Sequence, residues 1–231
     1  MGPISINSTA ILVFAQSSLQ DIRQKNISGG KELFDALTQH TLDTAKKTGL
    51  PTFHITETQQ SGGSFGERFT NAIQYVFDQG YQSVITVGND SPHLNKIHFD
   101  TAISNLRDNK IVIGPSADGG FYLMGLQRSD FVKTDFEKLP WQTSQLKEEI
   151  IGFLFDSEKE IELLPTLFDI DTLWDAKIIG KNTAALASSV AAAILSLITS
   201  NKKIILPLVL VPNGIHSSTP PNRGSPLFFT S

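Results

Sequence analysis

The sequence lacks cysteine and shows no excess of basic residues. Without cysteine there is no disulfide and no thiolate metal site, so a metal must be held by carboxylates, histidines or backbone oxygens. The 19 Lys and Arg are outnumbered by 23 Asp and Glu, which gives a formal net charge of -4. Nucleic-acid binding needs a concentrated positive surface, so we expect no nucleic-acid partner. The absence of cysteine also fits a cytoplasmic protein.

Long apolar runs are scarce as well. Residues 184–200 are the one candidate for a membrane span, and this stretch is shorter than the roughly 20 residues that a helix needs to cross a bilayer. Its larger apolar residues recur at helical spacing, which predicts a packed helix with one wetter face. The N-terminus lacks the basic region of a signal peptide. We therefore expect no association with a membrane.

What is present is an alternation of strand-like and helix-like segments. The strand-like segments are continuous apolar runs, TAILVFA (9–15), PTFHIT (51–56), SVITVG (83–88) and KIVIG (110–114). The segments with helical spacing lie between them, at 31–49, 66–80 and 96–108, and a polar loop is predicted after the first strand. This order predicts an α/β fold with a mostly parallel sheet covered on both faces. In such sheets ligands bind beyond the carboxyl ends of the strands.

The length of 231 residues, with 40% hydrophobic and 18% charged residues, is that of an ordinary globular protein. We expect one domain over residues 1–231, with a C-terminal helix and an extended tail after about residue 180. The last 21 residues, VPNGIHSSTPPNRGSPLFFTS, are rich in Pro, Gly and Ser.

Carboxylates follow several of the predicted strands. Asp90 ends the third strand in VITVGNDSPHL, where it is either a turn former or a ligand-binding residue. Asp118 lies in SADGGFYLMG, either in a hairpin turn or where Gly119 and Gly120 let the backbone approach a ligand. Asp171 in LFDIDTLWD, with Asp169 two residues before it, either caps a helix or faces the same edge. Together these loops predict a site for Mg²⁺ or Mn²⁺, which prefer oxygen ligands.

Two further residues have open interpretations. Trp141 in KLPWQTSQL is either a platform for a substrate or part of the core. Arg68 follows the Gly-rich segment SGGSFG, where it meets either a phosphate or a surface carboxylate.

Five motifs occur in a fixed order, namely QSGGSFGERFTNA, VGNDSPHL, GPSADGGFYLMGL, LPWQTS and LFDIDTLWD. With these motifs the chain resembles the selenodomain-associated transferase family of the nucleotide-diphospho-sugar transferase superfamily, over roughly residues 9 to 178. The family is related to molybdenum-cofactor guanylyltransferase, 2-phospholactate guanylyltransferase and CMP-KDO synthetase. The resemblance implies a GT-A (Rossmann-like) three-layer fold with a bound divalent cation, and a nucleotide or nucleotide sugar as partner together with a small-molecule acceptor.

The resemblance also assigns roles to particular residues. Asp90 resembles the metal-binding aspartate after the central strand, and Asp171 resembles the second metal-binding aspartate. Gln60 and Gly66 resemble the residues that read the base. The segment Asp118 to Gly120 falls where the acceptor or sugar should lie, and Asp118 is the candidate catalytic residue that orients or deprotonates an acceptor hydroxyl.

One segment departs from the family. Members carry P-G-x-x-K-T-R-L after the first strand, whereas this chain has SSLQDIRQKNI, which contains no glycine. Arg23 and Lys25 are the cations that could contact phosphate instead. We expect a metal-dependent transferase that uses a nucleotide-activated donor, with two alternatives: a nucleotidyltransferase acting on a nucleoside triphosphate, and a nucleotide-binding protein without turnover.

Overall fold

The computed structural model describes residues 8–155 and 159–202, and it confirms the α/β fold. The strands are β1 (Thr9–Phe14), β2 (Thr52–Ile55), β3 (Ser83–Val87), β4 (Ile111–Pro115), β5 (Phe121–Gln127) and β6 (Ile161–Leu163). The helices are α1 (Ser18–Lys25), α2 (Lys31–Lys46), α3 (Phe65–Asp78), α4 (Lys96–Arg107), α5 (Lys133–Phe136), α6 (Leu146–Phe155), α7 (Leu173–Ile179) and α8 (Ser188–Lys202). The extended tail predicted from the sequence lies mostly outside the described residues.

The six strands form one sheet in the order β2-β1-β3-β5-β4-β6. Three of the five strand pairs in this sheet are parallel: β1 with β2, β1 with β3, and β4 with β6. Only β5 runs antiparallel to both of its neighbours. A short turn joins β4 to β5, and such a turn is too short for the crossover that a parallel pair requires. The carboxyl ends of the other strands therefore share one edge of the sheet.

Both faces of the sheet are buried, as the continuous apolar runs predict. Within β1, Ala10 and Leu12 belong to a core cluster that includes α3, while Ile11 and Val13 belong to a second cluster that includes α4. Successive side chains of a strand point to opposite faces, so one strand supplies both layers. Helices thus cover the sheet on each side and leave its carboxyl edge as the place for a site.

The predicted polar loop after β1 is wrong in part, because most of it is helix α1. The helix begins where Glu57, in the segment after β2, accepts hydrogen bonds from the Ser17 backbone N–H at 2.7 Å and from the Ser17 hydroxyl. Its sequence, SLQDIRQK, is mostly polar, and its buried residues are Ser18 and Asp21 rather than large apolar side chains. The contact between Ser17 and Glu57, 40 positions apart in the chain, therefore fixes the start of a helix that the local sequence did not predict.

The C-terminal helix confirms the predicted apolar stripe. Val190, Ile194 and Leu197 of α8 are buried in a third cluster that includes Leu33 and Leu37 of α2. The same cluster contains Ile170, between two of the candidate carboxylates. Within the described residues no helix is both long and apolar enough to cross a membrane.

The packing of α8 can be tested by comparing a buried leucine with an exposed leucine on the same helix. Leu197 is 3% exposed and Leu195 on the same helix is 47% exposed. We expect Leu197→Ala to lower the free energy of unfolding by about 2–5 kcal/mol, because it leaves a cavity in the third cluster. Leu195→Ala should change it by less than about 0.5 kcal/mol. Urea denaturation followed by circular dichroism measures both, and equal losses would show that α8 does not pack in this register.

Candidate active site

A cavity of about 460 Å³ opens at the carboxyl edge of the sheet. Its walls come from the segments that follow β1, β2, β3, β4 and β6 and from the region around residue 141. The predicted site residues that line it are Lys25, Gln60, Asp90, Asp118, Gly120, Trp141 and Asp171. The structure thus brings together residues that are up to 146 positions apart in the chain.

Three groups converge on the ammonium of Lys25. Its Nζ lies 3.1 Å from Oδ2 of Asp90 and 3.0 Å from Oδ1 of Asp171, and it donates a hydrogen bond of 2.9 Å to the carbonyl oxygen of Ile170. Burial would lower the pKa of Lys25, but the attraction of Asp90 and Asp171 outweighs burial and raises the pKa. Lys25 is also the last residue of α1, where the helix dipole favours a cation.

These oxygens are chemically suited to a divalent cation. Two carboxylate oxygens and one backbone carbonyl oxygen surround a single point, and an ammonium group already marks that point as one that favours positive charge. Oxygen ligands of this kind suit Mg²⁺, which is commonly held by one or two carboxylates together with substrate phosphates. No group of three or more His, Asp or Glu side chains is arranged to hold a metal within residues 8–155 and 159–202. The donor set is limited to two carboxylates and one backbone carbonyl oxygen, and it fits a divalent cation once the ammonium has moved away and substrate phosphates complete the coordination.

Asp169 lies deeper in the same cavity. It accepts hydrogen bonds from the hydroxyl groups of Ser91 and Ser116, and the Ser91 contact is very short. Burial, followed by the charge of Asp90, raises the pKa of Asp169 to about 7. The sequence placed Asp169 and Asp171 on one side of an extended segment, and both do line the cavity. Ser91 and Ser116 come from different loops, so the sequence could not predict that their hydroxyl groups surround the Asp169 carboxylate.

Asp21 was not predicted as a site residue. It lies on α1, is 6% exposed and accepts a hydrogen bond of 3.4 Å from Nδ2 of Asn89. Burial raises the pKa of Asp21 to about 6, although Lys25 and Asn89 act in the opposite direction. The sequence predicted a polar loop for this segment. The burial of Asp21 depends on helix α1, so it could not be predicted.

The Asp118 segment forms the hairpin turn between β4 and β5, which was one of its two interpretations. The Gly120 N–H donates a hydrogen bond of 3.0 Å to Oδ1 of Asp118, and this fixes the carboxylate at the cavity wall. Gly119 has φ of +95°, and a side chain there would collide with the carbonyl group of Ser144. Gly119 therefore serves the packing of the turn against the neighbouring segment, whereas Asp118 and Gly120 line the cavity.

Trp141 belongs both to the core and to the cavity wall. Its indole N–H donates a hydrogen bond of 2.7 Å to the carbonyl oxygen of Phe136, and its ring contacts those of Phe65 and Phe69. A Cβ on Gly66 would lie 2.6 Å from the Trp141 ring, so glycine permits this close approach. Gly66 itself does not line the cavity in this structure.

Two amide side chains present buried polar atoms without hydrogen-bond partners among the described residues. These atoms are Nε2 of Gln60 and Oε1 of Gln16, and both residues line the cavity. The other end of the Gln16 amide donates a hydrogen bond of 2.7 Å to Gln24. Buried polar atoms of this kind are normally satisfied, so one donor and one acceptor beside the cavity lack the partners that such groups usually have. Gln16 was not predicted, because a lone glutamine after a strand carries no motif.

The two predicted arginines lie elsewhere. Arg68 lines a second cavity of about 410 Å³ with Phe53, His54 and Tyr75, and Gln60 reaches both cavities. Arg23 is exposed on α1, two residues before Lys25 and hence on a different face of that helix. The structure therefore does not bring Arg23 or Arg68 to the carboxylates.

The glycine-rich segment before α3 is a helix cap. The Glu67 carboxylate accepts hydrogen bonds from the N–H groups of Gly63 at 2.6 Å and Ser64 at 3.2 Å, and the Ser64 side chain caps the Glu67 N–H in return. These hydrogen bonds lower the pKa of Glu67. The N–H groups of this segment are thus used by the protein itself.

A sheet of this order, with a polar cavity at its carboxyl edge and helices on both faces, defines a GT-A-like α/β protein. A family model described as an uncharacterized protein conserved in bacteria (DUF2064) matches residues 29–143. Over these residues the chain belongs to the DUF2064 family, which confirms the resemblance seen in the sequence. No sequence among the curated proteins matches the chain.

Solved structures share the fold. A protein from Desulfovibrio desulfuricans, provisionally described as a nucleotide-diphospho-sugar transferase, superposes with a TM-score of 0.73 and 23% identity, over 84% of this chain and 98% of its own. A manganese complex of a Mycobacterium tuberculosis protein gives a TM-score of 0.47 and 12% identity, over 77% and 100%. A cytidylyltransferase from Leptospira borgpetersenii gives 0.44 and 14%, over 91% and 99%. The first shows the fold, and neither of the other two supports an inference about this chain.

The buried Asp21 predicts a pH dependence of stability. Its pKa rises from 3.8 to about 6 on folding, so between these pH values the folded protein holds a proton that the unfolded chain has released. Stability must then fall as the pH rises through this window. We expect Asp21→Asn to remove a fall of up to about 3 kcal/mol between pH 4 and pH 7, measured by urea denaturation.

Glu67 provides a contrast of opposite sign. Because its pKa is lowered on folding, its contribution to stability is present above about pH 4.5 and is lost as the pH falls. Glu67→Gln should therefore lose stability mainly at neutral pH.

For Asp21 the decisive comparison is the free energy of unfolding as a function of pH. If wild type and Asp21→Asn had the same pH profile, the raised pKa of Asp21 would be refuted.

Proposed function

We propose that the protein is a transferase whose donor is a nucleotide-activated group, of the nucleoside-diphosphate-sugar kind, bound together with Mg²⁺ or Mn²⁺. One observation carries the proposal. A single cavity of about 460 Å³ holds both a cation-binding cluster of oxygens and two buried amide atoms without partners. A nucleotide needs both, since its phosphates require positive charge and its base presents donors and acceptors.

The roles of the residues follow from their positions. Asp90, Asp171 and the Ile170 carbonyl group would hold the divalent cation, and Lys25 would contact the phosphates. The cation, when bound, would neutralise the diphosphate that leaves. Gln16 and Gln60 follow the neighbouring strands β1 and β2, next to Phe14 and Phe65, where they would bind the base.

The acceptor would be bound beside Asp118. With one oxygen held by the Gly120 N–H, this carboxylate is fixed in the cavity wall, where it would orient or deprotonate an acceptor hydroxyl. Trp141 would supply an apolar surface for a sugar ring. The cytoplasmic location remains a prediction from the lack of cysteine.

The structure of the segment after β1 favours a diphosphate over a triphosphate. Residues 18–25 form helix α1, and the N–H of Ser17 is bonded to Glu57. The N–H groups of Ser17, Gln20 and Asp21 are thus engaged within the protein, and the segment has no glycine-rich loop to turn consecutive N–H groups toward a triphosphate. This supports transfer from a nucleoside diphosphate rather than transfer of a nucleotidyl group.

Calorimetric titration with UDP, GDP, CDP and ADP, and with the matching triphosphates, tests the proposal in Mn²⁺ and in EDTA. We expect at least one diphosphate to bind in Mn²⁺, more tightly than its triphosphate. Turnover is then followed with the sugar conjugate of the base that binds. A tighter triphosphate would favour the nucleotidyltransferase, binding without turnover would favour the silent binding protein, and no binding of any nucleotide would refute the proposal.

Gln60→Leu tests the reading of the base. Loss of one hydrogen bond should weaken the binding of the preferred diphosphate by about 0.5–1.5 kcal/mol and reduce the preference among bases. Gln74→Leu is the matched control, because Gln74 lies on α3 away from both cavities and bonds to Asp78. An equal effect of the two substitutions would exclude Gln60 from the base site.

Asp90→Asn tests the cation site. We expect the variant to fold, because the Asp90 carbonyl group that accepts the Ile170 N–H is unchanged. Its nucleotide binding should no longer respond to Mn²⁺, and Asp171→Asn should show the same loss to a smaller extent. A variant that retains the full response to Mn²⁺ in calorimetry would remove Asp90 from the site.

A further inference from the structure

Lys25 takes part in the site in a way that the sequence did not suggest. As a phosphate-binding cation it would face an incoming ligand, but its ammonium instead lies between the two carboxylates that would hold a divalent cation. The third oxygen at the same point, the Ile170 carbonyl, is also bonded to it. The ammonium and a divalent cation therefore compete for the same three oxygens.

We propose that Lys25 closes the Asp90–Asp171 pair to divalent cations in the ligand-free protein, so that the cation enters only together with a phosphate-bearing ligand. This inference rests on the proposed function and concerns the control of the same site. In the absence of ligand, Mn²⁺ can bind the pair only by displacing an ammonium group from three hydrogen-bonding or ionic contacts.

The surroundings of Lys25 explain why it stays in place. Its side chain is 13% exposed, and its ammonium also lies 5.6 Å from the centre of the Phe34 ring, at cation–π distance. Among the described residues that line the cavity, Lys25 is the only Lys, Arg or His, whereas Asp21, Asp118 and Asp169 add further carboxyl groups. An ammonium that left the pair would find no other anion as well placed as the two that it already contacts.

A phosphate changes this balance. It brings new oxygens into the cavity, to which the long and flexible lysine side chain can turn. The carboxylates are then released to the divalent cation, and each positive group keeps a negative partner. Cation and phosphate should thus bind cooperatively, and thermodynamic linkage requires that each raises the affinity for the other by the same factor.

The test uses Mn²⁺ alone, without any nucleotide, on the full-length protein. The electron paramagnetic resonance signal of free Mn²⁺ reports how much of the metal is bound. We expect weak binding to the wild type and about ten- to hundredfold tighter binding to Lys25→Met, the factor that corresponds to the loss of one charged hydrogen bond. Lys25→Arg, which keeps the positive charge, should bind Mn²⁺ as weakly as the wild type.

Two controls assign the effect to the pair. Lys96→Met removes an exposed lysine that pairs with Asp100, and it should leave Mn²⁺ binding unchanged. Adding Asp171→Asn to Lys25→Met should abolish the gain. Circular dichroism and thermal unfolding verify that the variants are folded, and if Lys25→Met does not fold, Lys25→Gln takes its place.

The outcomes separate this inference from the proposed function. Wild type and folded Lys25→Met with equal affinity for Mn²⁺ would overturn the competition, even if nucleotides bind. A gain of affinity that Asp171→Asn abolishes would support it, even if none of the nucleotides binds. In the wild type with a diphosphate that binds, calorimetry should further show that Mn²⁺ and the diphosphate bind cooperatively, and independent binding of the two would overturn the coupled entry.

Discussion

The contacts of one ammonium group hold the site together. Lys25 connects the end of α1 to the loop after β3 and to the segment after β6, through Asp90, Asp171 and the Ile170 carbonyl group. Two carboxylates placed this close repel each other, and the lysine between them offsets that repulsion. A backbone hydrogen bond of 3.0 Å from the Ile170 N–H to the Asp90 carbonyl group fixes the same two segments independently. The carboxylates are therefore held by both charge and backbone geometry.

This arrangement depends in turn on packing at a distance. Ile170 is fully buried in the cluster that joins α2, α7 and α8, so the position of the two flanking aspartates is set by apolar contacts. On the other side of the cavity, Glu57 fixes the start of α1 and thereby the direction in which Lys25 extends. The positions of the polar residues in the site thus depend on the packing of the segments that carry them.

Much of the fold could be predicted from the sequence, because it follows from local patterns. The continuous apolar runs predicted β1 to β4 and a sheet buried on both faces, and helical spacing predicted α2, α3, α4 and the buried stripe of α8. The rule that ligands bind beyond the carboxyl ends of strands placed Asp90 at the cavity. Each of these features can be predicted from the residues that are close to it along the chain.

The remaining features depend on contacts between distant segments. Helix α1 requires Glu57, the burial of Asp21 requires α1, and the unpartnered atoms of Gln16 and Gln60 are defined by what surrounds them in space. Arg23 and Lys25 were equivalent as cations in the sequence. The helix separates them, with one exposed and the other between two carboxylates. A single sequence cannot distinguish such neighbours.

The spacing of the site along the chain also has a consequence for folding. Lys25 is 65 residues from Asp90 and 145 residues from Ile170. Contacts of such long range close large loops, and they form late because the loss of chain entropy comes before the gain in contacts. During synthesis, the sheet core from β1 to β5 can assemble before residue 171 has been added, whereas the complete set of oxygens around Lys25 cannot. A nascent chain can therefore form the core around β1 to β5 before the candidate site is complete.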